Sequence, residues 1–374
     1  MNLKKLLSSI KVPLWSIIVP IVALLLIFFK SSLPNTVFTD ILLGVFLIGS
    51  VLSAVHQAET VAHRVGEPYG TIILALAITV IEVSLIVSIM LSEGNDEPSF
   101  LARDTVFAAI MIILTGIMGI CFWVGGYHHK EQNFIKQGVS TGLITLIAIS
   151  TLTLILPNYT TSQPGNSYTN NQLVFVAIVS LILYAGFLAV QTVRHRNYFV
   201  AEEDNTNNNH ENQDNDNHHE AVNIPTTIVA FIVLIIALVS VVLLSKKLSP
   251  VIESAVVDAG APISLVGIII AGVILLPEGL AAYKAAKRNQ LQTSLNLAIG
   301  SALASIGLTI PAVAIVAYIS GMTVALGIDA KSTLLLITSL ATVYISISSG
   351  RTNIQHGIVL LVLFATYLFT TIAP

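Results

Sequence analysis

The sequence predicts an all-α polytopic membrane protein, and three observations carry that prediction. The 374 residues are 55% hydrophobic and only 10% charged, with a mean hydropathy of +0.85. Soluble domains carry about 25% charged residues, so a soluble globular chain is excluded. The apolar residues gather in eleven runs of the length that crosses a bilayer as a helix. Finally, sliding the chain by 196 residues lays Leu52-Ser53 on Leu248-Ser249, Val55 on Val251, Ala75 on Ala271 and Ile78 on Ile274. The same shift lays Glu82 on Glu278 without a gap. The architecture expected is about eleven transmembrane helices, arranged as two inverted five-helix repeats plus one extra N-terminal helix.

In chain order, residues 1–30 form the extra helix. Lys4, Lys5 and Lys11 precede its apolar run as in a signal peptide, but no small-residue cleavage site follows Phe29, so it is read as a retained span. Residues 36–196 hold the first repeat, with spans near 37–62, 69–91, 104–125, 138–156 and 171–193. The first of these is expected to run on through its polar end, AVHQAETVAHRVG. Residues 197–223 form a hydrophilic linker, AEEDNTNNNHENQDNDNHHE at its centre, which has too little apolar content to bury a core. Its Glu202, Glu203, Asp204, His210, His218 and His219 could sense metal or pH, but no fixed ligand spacing is visible and a solvated linker is the favoured reading. Residues 224–374 hold the second repeat, with spans near 225–248, 262–286, 293–318, 332–349 and 355–372. The first of these is expected to bend at Pro250 and continue to Asp258.

Basic residues set the orientation. With the N-terminus inside, twelve of the seventeen lie on the inner side, and only Lys30, Arg103, Lys246, Lys247 and Lys331 lie outside. An odd number of spans then leaves the C-terminus outside. Spans three and eight cross in opposite senses, so the repeat is inverted, and such repeats place their site near the membrane midplane. A net charge of −3 with no basic cluster gives no sign of nucleic-acid binding. The single Cys121 can form no internal disulfide and is read as a small core residue.

Glu82 and Glu278 are the residues expected to carry the chemistry. A charge inside a span costs roughly 2.5–3.5 kcal/mol on insertion scales, so an intramembrane acid is functional by default. No Lys or Arg lies deep in any span to pair with either one. Two facing carboxylates repel, and either protons or a hard cation such as Ca2+ can neutralise them. Proton-loaded and cation-loaded states then exclude each other, which is what exchange requires. Pro277 is expected to break its helix and free carbonyls beside Glu278. Thr79 is a possible further ligand, one turn before Glu82. Asn296, Ser301 and Ser305 are others, although the small residues around them, Gly300 to Ser305, serve close packing equally well. Asp104 reads as interfacial. His56, Glu59 and His63 are either a proton entry path or ordinary interfacial polar groups. No His-Glu-x-x-His or similar constellation points to an enzyme, and no cofactor is implied.

Two stretches, AHRVGEPYGTIILALAITVIEVSLIVSI and LLPEGLAAYKAAKRNQLQTSLNLAIGSALASIGLTIPAVA, resemble the calcium/cation antiporter superfamily and, within it, the bacterial calcium (sodium, potassium)/proton antiporters. The resemblance implies a multi-pass protein of the bacterial inner membrane, surrounded by lipid, that exchanges cytosolic Ca2+ for H+. Na+ or K+ through the same site is the alternative, and an intramembrane enzyme or a channel is a distant one. It implies that Glu82 and Glu278 are the central acids and that Gly300-Ser301 is the small-polar stretch after the second. Thr79-Val80-Ile81 and Leu276-Pro277 replace a Gly-Asn-Ala run found in many members, and Ala304 stands where an Asn or Gln is expected. Fewer carboxamides leave room for monovalent cations. The oligomeric state is not legible.

Overall fold

The structure, a computed structural model, describes residues 12–29, 36–65, 69–93, 99–163, 165–199 and 224–373. Lys4, Lys5, Lys11, Lys30, most of the linker (200–223) and the side chain of His63 lie outside that description. Among the described residues, eleven apolar helices follow one another: α1 Leu14–Phe29, α2 Val37–Val65, α3 Tyr69–Glu93, α4 Leu101–His129, α5 Lys136–Tyr159, α6 Asn170–Arg194, α7 Ile224–Asp258, α8 Ser264–Lys287, α9 Leu291–Ser320, α10 Ala330–Ser348 and α11 Ile354–Ile372. Nine of them, among the described residues, are long and apolar enough to cross a bilayer. As expected, α2 continues through its polar end to Val65, and α7 passes Pro250 to reach Asp258.

Pro277 corrects one expectation. It does not break α8, which is helical without interruption from Ser264 to Lys287. A proline removes one intrahelical N–H, here the donor to the Val273 carbonyl, and neighbouring helices hold the rest of the ladder in place.

Contacts between loops fix the direction of each helix. At one end, Ser99, after α3, bridges to Val324, after α9. Asn158, at the end of α5, donates to the Ile328 carbonyl, and Lys331 Nζ donates to the Thr370 carbonyl at the end of α11 (2.7 Å). At the other end, strand β1 (Glu131–Asn133), after α4, pairs antiparallel with β2 (Arg351–Asn353), after α10. Gln132 Nε2 there donates to the Ala286 carbonyl near the end of α8 (2.9 Å). Odd-numbered helices therefore end on one side and even-numbered helices on the other, so α3 and α8 run in opposite directions. The β-ribbon side carries Arg64, Lys130, Lys136, Arg194, Arg196, Lys284, Lys287, Arg288 and Arg351, whereas the far side carries Arg103, Lys246, Lys247 and Lys331.

The halves interlock. α3 packs on α9 and α8 on α4, so each glutamate-bearing helix leans on a helix from the other half. Likewise α6 packs on α9 and α11 on α4. The α4–α11 approach is close: a Cβ added at Gly357 would collide with the Trp123 backbone, so only glycine fits there. α4 is the most enclosed of the candidate spans, and its buried Phe107, Ile110, Met111, Leu114 and Met118 fill the centre.

Candidate functional site

Burial places the first acid. Glu82 sits halfway along α3, 4% exposed, and accepts a hydrogen bond from the Ser305 hydroxyl of α9. The next turn of α9 brings Thr309, fully buried, towards the same carboxylate. Ser305 is the one that donates to the acid; the Thr309 hydroxyl, one turn along the same helix face, is buried without a hydrogen-bond partner. Glu278 reaches the same space from α8. Its side chain is half-buried along its stem, yet both carboxylate oxygens are shielded and neither has a hydrogen-bond partner. A buried polar group left without a partner costs more than one that is paired, so this carboxyl is poised for a proton or a cation. Glu82 and Glu59 both lie within electrostatic reach of Glu278.

Both acids open onto one cavity of about 480 Å³. Thr79, Asn296, Ser301 and Ser305 line it too, so every residue expected from the sequence to contribute to binding is gathered there. Their contributions differ. Ser305 is on Glu82, Ser301 faces the space half-exposed, and Thr79 is buried in the wall. Asn296 is engaged elsewhere: its Oδ1 accepts from Gln292 (3.0 Å) and its Nδ2 donates to the Phe199 carbonyl (2.6 Å). Small residues of α9 both line the cavity and pack. Gly300, Ser301, Ala304 and Ser305 face the cavity, while the buried Ala302 packs.

Sequence reasoning missed the remaining wall. Tyr184, Phe187, Gln191 and Thr192 of α6, with Arg196 and Phe199 beyond it, lead from the acids to the β-ribbon end. α6 changes to a π turn over Val190–Arg194, and that turn carries Gln191 and Thr192. A polar pair late in an apolar span was the available signal. On the far side of the acids Thr309, Ile310 and Pro311 are buried, so access runs from the basic end.

Other polar groups settle outside the cavity lining. Asp104 is ion-paired with Arg103 (2.8 Å), whose guanidinium also donates to the Gly327 carbonyl (3.0 Å), an interfacial clamp on the far side. His56 packs against the Trp15 ring of α1, with centroids 5.8 Å apart. His129 reaches the Lys287 carbonyl (3.0 Å), and Cys121 is buried. Among the described residues no group of three or more His, Cys, Asp or Glu could hold a resident metal.

Comparison with known proteins places this arrangement. The profile of the family described as "Sodium/calcium exchanger protein" matches residues 35–193 and 229–373. A Sinorhizobium fredii (strain NBRC 101917 / NGR234) protein named as an ionic transporter is 42% identical, over 98% of each chain. The sodium-potassium/proton antiporter ChaA of Escherichia coli (strain K12) is 35% identical, over 96% of each. Among solved structures, native YfkE superposes with a TM-score of 0.70 at 16% identity, covering 96% of this chain and 100% of that one. The H+/Ca2+ exchanger CAX gives 0.68 at 14%, covering 98% and 88%. At those identities the structures speak for the fold, and the sequence profile speaks for descent. The chain belongs to the sodium/calcium exchanger protein family, as a multi-pass membrane protein.

Proposed function

We propose that this protein is a secondary antiporter in which cations and protons take turns on Glu82 and Glu278. The observation that carries the reading is the pair itself. Two carboxylates on antiparallel helices from opposite halves share one cavity, and among the described residues no basic side chain pairs with either. In the low-dielectric centre of a membrane both cannot stay charged and empty. A cation displaces protons, and protons displace the cation. The two segments matched by the family profile coincide with the two five-helix halves, which supports an inverted repeat with the site at its contact. Positive residues gather at the β-ribbon end, which supports placing that end in the cytoplasm, the N-terminus inside and the C-terminus outside, in a bacterial inner membrane. The cavity then faces the cytoplasm.

Charge balance supports Ca2+: one calcium for two protons moves no net charge when both acids titrate. Two observations support Na+ or K+ as a second reading. The carboxamide of Asn296 is tied to Phe199 and Gln292, which leaves the acids chiefly hydroxyl neighbours. In addition, the Escherichia coli relative is named a sodium-potassium/proton antiporter. Everted vesicles energised by respiration test the exchange. Adding cation should collapse the pH gradient in the native protein but not in Glu82→Gln or Glu278→Gln. Near-native collapse in either variant would remove that residue from the mechanism.

A further inference from the structure

Apart from the two glutamates, the cavity lining contains one charged side chain, and its sign is wrong for a cation path. Arg196 is exposed at the mouth and, among the described residues, has no ion-pair partner. Its place is fixed by several contacts. It opens a short 3-10 turn, Arg196–Tyr198, one residue after the π turn of α6. The Tyr198 carbonyl accepts from Gln292 Nε2 (3.3 Å) and the Phe199 carbonyl from Asn296 Nδ2 (2.6 Å), both on α9 of the other half. His195 stacks on Tyr198 with ring centroids 4.8 Å apart, and Phe199 meets Phe187 edge-on at 5.9 Å. A Cβ at Gly138 would strike the Tyr198 carbonyl, so α5 also closes on the turn.

We propose that Arg196 sets the valence preference of the exchange site, as a fixed positive charge over the entrance that disfavours divalent cations more than monovalent ones. The proposal rests on the cation/proton exchange reading above. Its physical basis is simple: a potential acts on a cation in proportion to its charge. The energy for a divalent ion is twice that for a monovalent one, and the effect on affinity is therefore squared. Apolar walls, here Leu188, Leu297 and Phe199, concentrate that field inside the cavity. At a separation of about 10 Å and an effective dielectric constant of about 50, between that of bulk water and that of a protein surface, one unit charge lowers monovalent affinity about threefold and divalent affinity about tenfold. Salt screens the charge, so both effects should shrink between about 10 mM and about 300 mM ionic strength.

Two measurements on the full-length protein test this. In proteoliposomes, Arg196→Gln should lower half-saturating Ca2+ about tenfold and half-saturating Na+ about threefold, while Arg196→Lys keeps the native ratio. Equal shifts for both ions, or loss of the ratio in the lysine variant, would overturn the proposal, because a structural disturbance ignores valence. The second measurement needs no transport. With Cys121→Ala and Ser301→Cys, the cavity thiol is modified by cationic or anionic methanethiosulfonate reagents. Arg196→Gln should speed the cationic reagent about threefold and slow the anionic one similarly. Unchanged rates would overturn the proposal. Should the native protein move no protons with any cation, the exchange reading fails, and the reagent rates alone decide whether Arg196 governs the cavity.

Discussion

The two glutamates share a cavity but not a setting. Glu82 is held by Ser305, whereas the carboxyl oxygens of Glu278 are enclosed with no partner. A hydroxyl donating to a carboxylate stabilises its charged, cation-accepting form, typically by about 1.5–3 kcal/mol. Ser305→Ala should therefore raise the half-saturating cation by roughly tenfold at neutral pH. The deficit should narrow at alkaline pH, where fewer protons compete, and cation titrations of proton flux at several pH values check it. An unchanged half-saturation would separate Ser305 from the site. The acids were legible in the sequence because an ionisable residue inside an apolar span stands out against its cost. The engagement of Asn296 was not, since it depends on a backbone carbonyl 97 residues away in the chain. Pro277 misled for a related reason: proline predicts a lost hydrogen bond, and the packing around α8 decides whether the helix opens.

Helices and their junctions set how firmly this site is held. The Gln292–Tyr198 and Asn296–Phe199 bonds join the exit of α6 to α9, and thereby one half to the other. Gln292→Ala is expected to loosen that turn and to increase proteolysis after Phe199 without preventing insertion; a cleavage rate equal to native would count against the latch. Gly357→Val should separate α4 from α11, at a cost of about 1–3 kcal/mol for the overpacking, read as a lower thermal midpoint in detergent. A native midpoint would mean that the close approach is dispensable. The spans themselves were legible from hydropathy alone. The π turns at Ile112–Ile117, Thr151–Ile155 and Val190–Arg194 were not. One extra residue in a helical turn leaves no periodic trace in segments as short as these, whether apolar or mixed.

At the scale of the whole molecule, the 196-residue shift and the sidedness of the basic residues were both visible in the sequence. The loop pairings carry the alternation those patterns require, since β1 meets β2 on one side and Ser99 meets Val324 on the other. The α6 wall was harder to read, because neither acid lies on that helix and its one signal was the Gln191–Thr192 pair late in the span. Removing 203–219 from the linker is expected to leave turnover intact and to alter at most its response to cytosolic calcium or pH. Complete loss in a stably expressed deletion would contradict the reading of that segment as a connection.

Competition between cations and protons for Glu82 and Glu278 is read out by a pH series of cation titrations in proteoliposomes. Where both acids are protonated, half-saturating cation should rise roughly tenfold per unit fall in pH for an ion that displaces one proton. For an ion that displaces two it should rise roughly a hundredfold. The slope for each of Na+, K+ and Ca2+ thus reports how many protons that ion displaces. Half-saturation that stays constant across the series, with cation flux intact, would contradict the account.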